Sequence, residues 1–509
     1  MEYKAIAAVW EVTMGCNMRC KHCGSSCEKP LPDELTTEEA LKLCDDLGEL
    51  GLQWITLSGG EPTTRKDLYK IAKRLTENNI VPTMITNGWL LNEEMIDEAI
   101  ESGVNTIAFS IDGLEDTHDF IRKKGSFKRS MAAMEMIKHK NINCSAITTI
   151  NNRNIKELRE LKDVLIDKGV RGWQIQLGLP MGNMAKNIDL IAQPFHVDQV
   201  IDFAYDAMLE GKIDIQLADC MGYFNLKEIE VRKKSEGSET YGWTGCFAGK
   251  NVLGILNNGD ITACTSIRDK KFIAGNIKNR PIREIWEDPE SFSWNRNMKK
   301  EDLEGFCGKC KYGEICKGGC TNSRLTHGES IYSENKYCSY NFAFSRARNQ
   351  LASVDSAEEL YNKADKFHKK GNLQLAQVAL ELALQKKPDN KKVLNLYGYC
   401  SFMLGNYKDS KMANEKLLSF DSNDPCANKG MGLSIARTGE IDKGIEYLKK
   451  AVKLSDDEFL DAYYDLAVIL EENGRKEEAL EVIEKGRKKS PKFEELSKKF
   501  YESVGVTTV

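Results

Sequence analysis

The sequence predicts an α/β core on a parallel sheet, then a cysteine-rich segment, then an all-helical solenoid. Three observations carry this. Short apolar runs alternate with amphipathic stretches from Ile6 to about Gly178. Seven cysteines gather between Cys246 and Cys338. Beyond them Gly371, Gly405, Gly439 and Gly474 recur at 34, 34 and 35 residues. A chain of 509 residues holds about three domains. The expected division is 1–215, 216–345, a polar linker 346–356 and repeats 357–509.

The expected strands are Ile6–Thr13, Trp54–Leu57, Pro82–Thr86, Thr106–Ile111, Asn143–Ile150 and Trp173–Leu177. The helices between them include one opened by a capping box, Thr36 with Glu39, and the stretches Asn92–Ser102, Phe127–Lys138 and Ile155–Lys168. Alternating strands and helices favour right-handed crossovers in a parallel sheet. Ligands of such sheets and barrels sit at the C-terminal strand ends. Gln174 and Gln176 alternate on the sixth strand and so share one face. They are either ligand contacts or an ordinary polar layer.

At the end of the first strand stand Cys16, Cys20 and Cys23, spaced C-x3-C-x2-C. A four-iron cluster normally takes four thiolates, so three leave one iron open to a substrate. The alternative is a zinc site, which favours paired knuckles or Cys/His pairs. The second strand runs into Ser58-Gly59-Gly60-Glu61-Pro62. Its glycines let backbone approach a ligand, and Glu61 can accept from a cationic amine.

Net charge is −5 with mixed signs, which argues against nucleic acid. No apolar run is long enough for a bilayer, and the N-terminus has no signal-peptide pattern. Sixteen cysteines in so long a chain fit a reducing cytoplasm and iron ligation.

The cysteine loop resembles the signature of the radical S-adenosylmethionine (SAM) enzymes, whose fold is a partial (β/α)6 barrel. The resemblance implies that Cys16, Cys20 and Cys23 hold the SAM-binding [4Fe-4S] cluster. It places Gly59, Gly60, Glu61 and Pro62 at the SAM amino group. Asn87, Ser110, Asp112 and Gln174 become further SAM contacts. Arg122 becomes a partner for the SAM carboxylate, or, like Asp112, a solvated loop charge. A reduced cluster then cleaves SAM to methionine and a 5′-deoxyadenosyl radical.

The second cysteine set resembles the SPASM extension of that family. By resemblance Cys307, Cys310, Cys316 and Cys338 bind one auxiliary [4Fe-4S] cluster, and Cys246, Cys264 and Cys320 a second, three clusters in all. The fourth ligand of the second is open: Thr240 stands where some relatives have cysteine. Either Cys220 closes it or the iron stays free for a substrate thiolate. Cys27, Cys44, Cys144, Cys400 and Cys426 read as small apolar residues; Cys27 lies near the first loop. The 34-residue period resembles tetratricopeptide (TPR) repeats, with Ala376, Ser410, Gly444 and Ala479 allowing close helix approach and Phe493–Ser503 as a final helix. These form either a structural or dimerising appendage or a groove for a peptide or protein.

The expected function is therefore a maturase that installs a thioether or carbon–carbon crosslink in a ribosomally made peptide. The peptide would dock on the repeats or on a separate protein, since too few residues precede the first strand for the usual leader-binding domain. An external flavodoxin- or ferredoxin-type donor would supply electrons. An anaerobic sulfatase-type or enzyme-subunit maturase is the alternative, although Thr265 stands where sulfatase maturases carry Asp. A non-catalytic iron–sulfur scaffold is a third, disfavoured by Glu61 and its glycine loop.

Overall fold

Polar residues are concentrated on one face of a ten-stranded sheet and buried apolar residues on the other. In the computed structural model, which describes residues 3–237, 243–456 and 459–503, the strands are β1 (Ala7–Thr13), β2 (Trp54–Gly59), β3 (Val81–Thr86), β4 (Thr106–Ser110), β5 (Asn143–Ile150), β6 (Gly172–Leu177), β7 (Asp214–Leu217), β8 (Val252–Ile255), β9 (Asp260–Thr262) and β10 (Ile273–Asn276). Thr240 lies outside the described residues. The sheet order is β10-β9-β8-β1-β2-β3-β4-β5-β6-β7. Pairing is parallel from β8 through β7, and antiparallel along β8–β9–β10. The sheet does not close, so the core is a partial barrel.

The first six strands lie where the alternation puts them. Four more extend the sheet. β7 has only four residues, too few for a readable alternation, and it crosses the expected boundary at 215/216. β8 lies beside β1 although 245 positions separate paired Ala7 and Val252; no local pattern reports such a pairing.

Along β3, β5 and β6 burial alternates residue by residue. Met84, Phe109, Ala146, Trp173 and Ile175 are buried in the core that the flanking helices supply, with Leu43, Leu47, Ile71 and Leu161. The other face carries Thr56, Thr83, Ser145, Thr149, Gln174 and Gln176, all half-buried. Such polar side chains gain nothing from an apolar core, so they mark the inner face of the open barrel.

The chain divides into two compact units, 1–308 with 312–342, and 309–311 with 343–509. In the second, helix pairs run from Ala357–Lys369 and Leu373–Lys386 to Asp461–Glu472 and Lys476–Lys489, then Glu494–Ser503. Each pair turns at a glycine with positive φ: Gly371, Gly405, Gly439 and Gly474. Ala376, Ser410, Gly444 and Ala479 are all buried. The expected linker 346–356 is instead helical as far as Ala352, in the helix Ser339–Ala352. Its composition reads as polar, but Phe344 and Leu351 pack among the repeat helices with Leu360; two apolar residues at helical spacing suffice.

Candidate functional site

Both cysteine regions draw on C-terminal strand ends. The first loop leaves β1 and returns through Cys16 N–H to Glu28 O (3.0 Å) and Glu28 N–H to Met14 O (3.0 Å). Asn183, beyond β6, clamps it: Nδ2 donates to Cys20 O (3.1 Å) and its backbone N–H to Cys23 O (2.8 Å). The loop beyond β2 lies directly against it, Gly60 N–H donating to Thr13 O (2.7 Å) and Glu61 N–H to Gly15 O (2.8 Å). A Cβ on Gly60 would stand 2.1 Å from Gly15 O, so only glycine permits this approach.

Glu61 is 1% exposed, and its carboxylate is occupied by the chain itself. Oε1 accepts from Thr63 Oγ1 (2.6 Å), Thr63 N–H (3.2 Å) and Thr86 Oγ1 (2.7 Å), and Oε2 from Asn87 N–H (2.7 Å). Burial pushes its carboxyl up despite these bonds. The side chain thus braces the ends of β2 and β3. Asn87 Nδ2 carries the brace on to Asn17 Oδ1 (2.7 Å), beside Cys16.

Asp112, beyond β4, is fully buried. Arg122 Nε donates to its Oδ2 (2.5 Å), His22 Nε2 lies 3.1 Å from the same oxygen, and Thr149 N–H donates to Oδ1 (2.9 Å). Burial pushes this carboxyl up, but Arg122 and His22 outweigh it and hold it far below the usual range. His118 Nδ1 accepts from Asp112 N–H (3.1 Å). Burial lowers the His118 imidazole to about 3, with Arg122 adding to the effect, so it stays neutral. Arg122 and Asp112 are therefore a buried pair rather than solvated loop charges. Ser110 and Gln174 are half-buried on strands that β5 joins, both paired with Ile147.

Cys16, Cys20, Cys23, Cys220, Cys246, Cys264, Cys307 and Cys320 are held in no disulfide. In the second region Cys220 Sγ accepts from Leu177 N–H (3.2 Å) at the end of β6, and Cys307 Sγ from Asn335 N–H (3.3 Å). Cys320 and Cys338 Sγ accept from Ser323 N–H (3.5 Å) and Asn341 N–H (3.4 Å). Such amide-to-sulfur contacts tune iron–sulfur clusters. Cys310 belongs to the segment 309–311, which counts with the second unit. Among the described residues no three His, Cys, Asp or Glu side chains converge on a single-ion site. Burial raises the thiols of Cys16, Cys264 and Cys307, and that of Cys20 to about 12.

Two residues escaped the reading of the sequence. Glu11 is buried on β1, paired with Ser58, and holds Arg268 Nη2 and Ser25 Oγ (3.2 Å) on Oε1; its Oε2 has no partner among the described residues. Its carboxyl, raised by burial against the pull of Arg268, feels Cys23 and is felt by Cys264. A carboxylate inside the run Ala7–Thr13 was the available signal. The other is Arg324, buried in the short helix that Cys320 caps. A depression of about 640 Å³ opens near Val81, Asn105 and Asn143, at the opposite strand ends. None of the motif residues lines it.

Family models match in chain order: the radical SAM superfamily at 10–165, an iron–sulfur cluster-binding (SPASM) domain at 246–311 and a tetratricopeptide repeat at 430–492. The chain belongs to the radical SAM superfamily, in its SPASM-bearing branch, and is an enzyme of that class carrying TPR repeats. An AdoMet-dependent heme synthase of Methanosarcina barkeri is 30% identical over 342 residues, covering 65% of this chain and 95% of that protein. The mycofactocin maturase MftC of Mycolicibacterium smegmatis is 26% identical, covering 64% of this chain and 80% of that protein. Streptococcus suis SuiB bound to its precursor peptide SuiA shares the fold, with a TM-score of 0.54 at 16% identity over 65% of this chain and 75% of SuiB. The cofactors of the class are SAM and iron–sulfur clusters. No helix among the described residues is long and apolar enough to cross a membrane.

Proposed function

We propose that this protein is a radical SAM maturase whose substrate is a peptide or protein side chain. The observation that carries the reading is the repeat unit. The match to the heme synthase takes in 95% of that protein but 65% of this chain, so about a third of this chain has no counterpart there. Solenoids of such repeats present concave binding surfaces, and a macromolecular substrate gives that surface a use. MftC and SuiB, named for a maturation and solved with a precursor peptide, agree.

Cys16, Cys20 and Cys23 would hold the SAM cluster, with Gly59–Pro62, Asn87, Ser110, Asp112, Arg122 and Gln174 around SAM. Bound there, cluster and SAM supply a 5′-deoxyadenosyl radical. The chain's part is positional. Asn183 and the Asp112–Arg122–His22 group fix the loop, Glu61 fixes the strand ends, and the polar inner face orients the substrate. Cys307, Cys310, Cys316 and Cys338 would hold one auxiliary cluster. Cys220 would complete the set Cys246, Cys264 and Cys320. In its favour, Cys320 N–H donates to the Tyr223 hydroxyl (2.8 Å), which donates to Asp219 O (2.5 Å) beside Cys220. A flavodoxin- or ferredoxin-type donor in the cytoplasm would reduce the protein.

The test is anaerobic co-expression with short peptides encoded beside the gene, read by intact mass and fragmentation. Loss of two hydrogens per linkage on one peptide supports the maturase. A second reading, a tetrapyrrole substrate, rests on the 30% identity to a heme synthase. It wins if the purified enzyme changes the mass of Fe-coproporphyrin III while every peptide stays unmodified.

A further inference from the structure

Arg324 is fully buried in the helix Thr321–Gly328, which Cys320 caps. Its Nη2 donates to Thr321 Oγ1 (3.0 Å) and to Met298 Sδ (3.3 Å). Its Nε and Nη1 are buried with no hydrogen-bond partner among the described residues. Among the described residues no carboxylate lies within ion-pair distance of it. A guanidinium does not give up its proton in a protein, and a buried charge without a counter-charge is strongly destabilising. The missing counter-charge is therefore something bound.

The cysteines around it say what. On one side Asn335 N–H donates to Cys307 Sγ (3.3 Å), and Asn335 Nδ2 donates to Gly318 O (3.3 Å). Gly318, at φ +78°, leaves room for the guanidinium, since a Cβ there would stand 2.9 Å from Arg324 Nε. Met298 packs in the same apolar cluster as Cys307, and Cys264 lies against that cluster. On the other side Arg324 N–H donates to Cys320 O (3.2 Å). Burial works against the Arg324 guanidinium, and thiolates at Cys307, Cys246 and Cys320 would work in its favour. Cys307 belongs to one expected ligand set, and Cys246 and Cys320 to the other.

We propose that Arg324 is the shared counter-cation of the two auxiliary clusters and holds both reduction potentials up. This rests on reading the second cysteine set as two cluster sites. A four-iron cluster with four thiolates is anionic, and net charge and hydrogen bonds to its sulfurs set its potential. Reduction adds one electron, and a fixed cation nearby favours the reduced form. The unpaired Nε–H and Nη1–H supply donors for cluster or cysteine sulfur. Arg324 is a positioning and tuning residue; it touches no substrate.

The test uses full-length, anaerobically reconstituted protein with Cys16, Cys20 and Cys23 replaced by Ala, so that only auxiliary clusters remain. Iron per chain is measured first. A parent that holds no iron sinks the two-cluster reading itself, whatever Arg324 does. Potentiometric EPR titration of the parent, Arg324→Gln and Arg324→Lys follows. The expected result is unchanged iron, a negative shift of both potentials in the Gln variant, and recovery toward the parent in the Lys variant. Parent potentials in a fully loaded Gln variant overturn the proposal, as does a Lys variant shifted as far as Gln. If the Gln variant fails to load, Thr321→Val decides, because it only frees the guanidinium from one aiming bond. A smaller negative shift of both potentials supports the proposal and no shift overturns it.

Discussion

Around the first cysteine loop, buried charge is met by the polypeptide: Asp112 by Arg122 and His22, and Glu61 by four hydrogen bonds. Around the second set, the buried Arg324 has two donors that nothing among the described residues answers. The difference teaches what each region asks of its ligand. In the first region both carboxylates have partners in the chain, although His22 Nδ1 and His118 Nε2 have none among the described residues. In the second, Glu228 is paired with Arg232, and Arg324 is the buried charge left without a counter-charge among the described residues. Three variants break the first half of this comparison, and a pair of variants tests the seam between the regions.

The largest effect belongs to the ligands. Cys20→Ala should lower iron by one cluster's worth and abolish formation of 5′-deoxyadenosine from SAM, while the auxiliary clusters remain. Iron analysis and chromatography of SAM products check it. Loss of all iron would mean that the two regions do not load independently.

Asp112→Asn comes next. It leaves Arg122 buried without its counter-charge, at a cost of about 3–5 kcal/mol. The pH dependence carries a sign. A carboxyl held below its unfolded value adds stability above the ordinary carboxylate range near pH 3.9 and loses it as pH falls. The parent should therefore lose stability on acidification more steeply than Asp112→Asn. Urea midpoints between about pH 3 and 7 read the difference.

Asn183→Ala should cost less, about 1–3 kcal/mol for leaving Cys20 O short of its donor. It should also loosen the first cluster without touching the auxiliary ones. Iron release to a chelator at neutral pH distinguishes the two.

The first region was legible in the sequence because its demands are local. Cysteines three and four apart, or two glycines before a glutamate, need no knowledge of the fold. The six strands were legible because their alternation is carried by their own residues. Arg268 with Glu11 was not, since 257 positions separate them, and neither was β8 beside β1. Arg324 was hidden for another reason. An arginine in the run Thr-Asn-Ser-Arg-Leu-Thr reads as a solvated helix charge, and only its burial shows otherwise. The helix at Ser339–Ala352 was missed because its two core-facing apolar residues are diluted by polar neighbours.

The seam between the regions is the pair Glu11–Arg268, and it predicts an asymmetry. The Glu11 side chain is 6% exposed and that of Arg268 26%. In Arg268→Ala the carboxylate stays buried and unpaired, and burial already raises its pKa. A group raised in this way weakens the fold as pH rises from the ordinary carboxylate range through its own pKa. Arg268→Ala should therefore be destabilised by about 1–3 kcal/mol at neutral pH and recover on mild acidification. In Glu11→Gln the guanidinium can turn toward solvent, and the loss should be about 1 kcal/mol with little pH dependence. Thermal melts at pH 5 and 8 compare them. Equal losses would mean that Arg268 is held in the interior as firmly as Glu11.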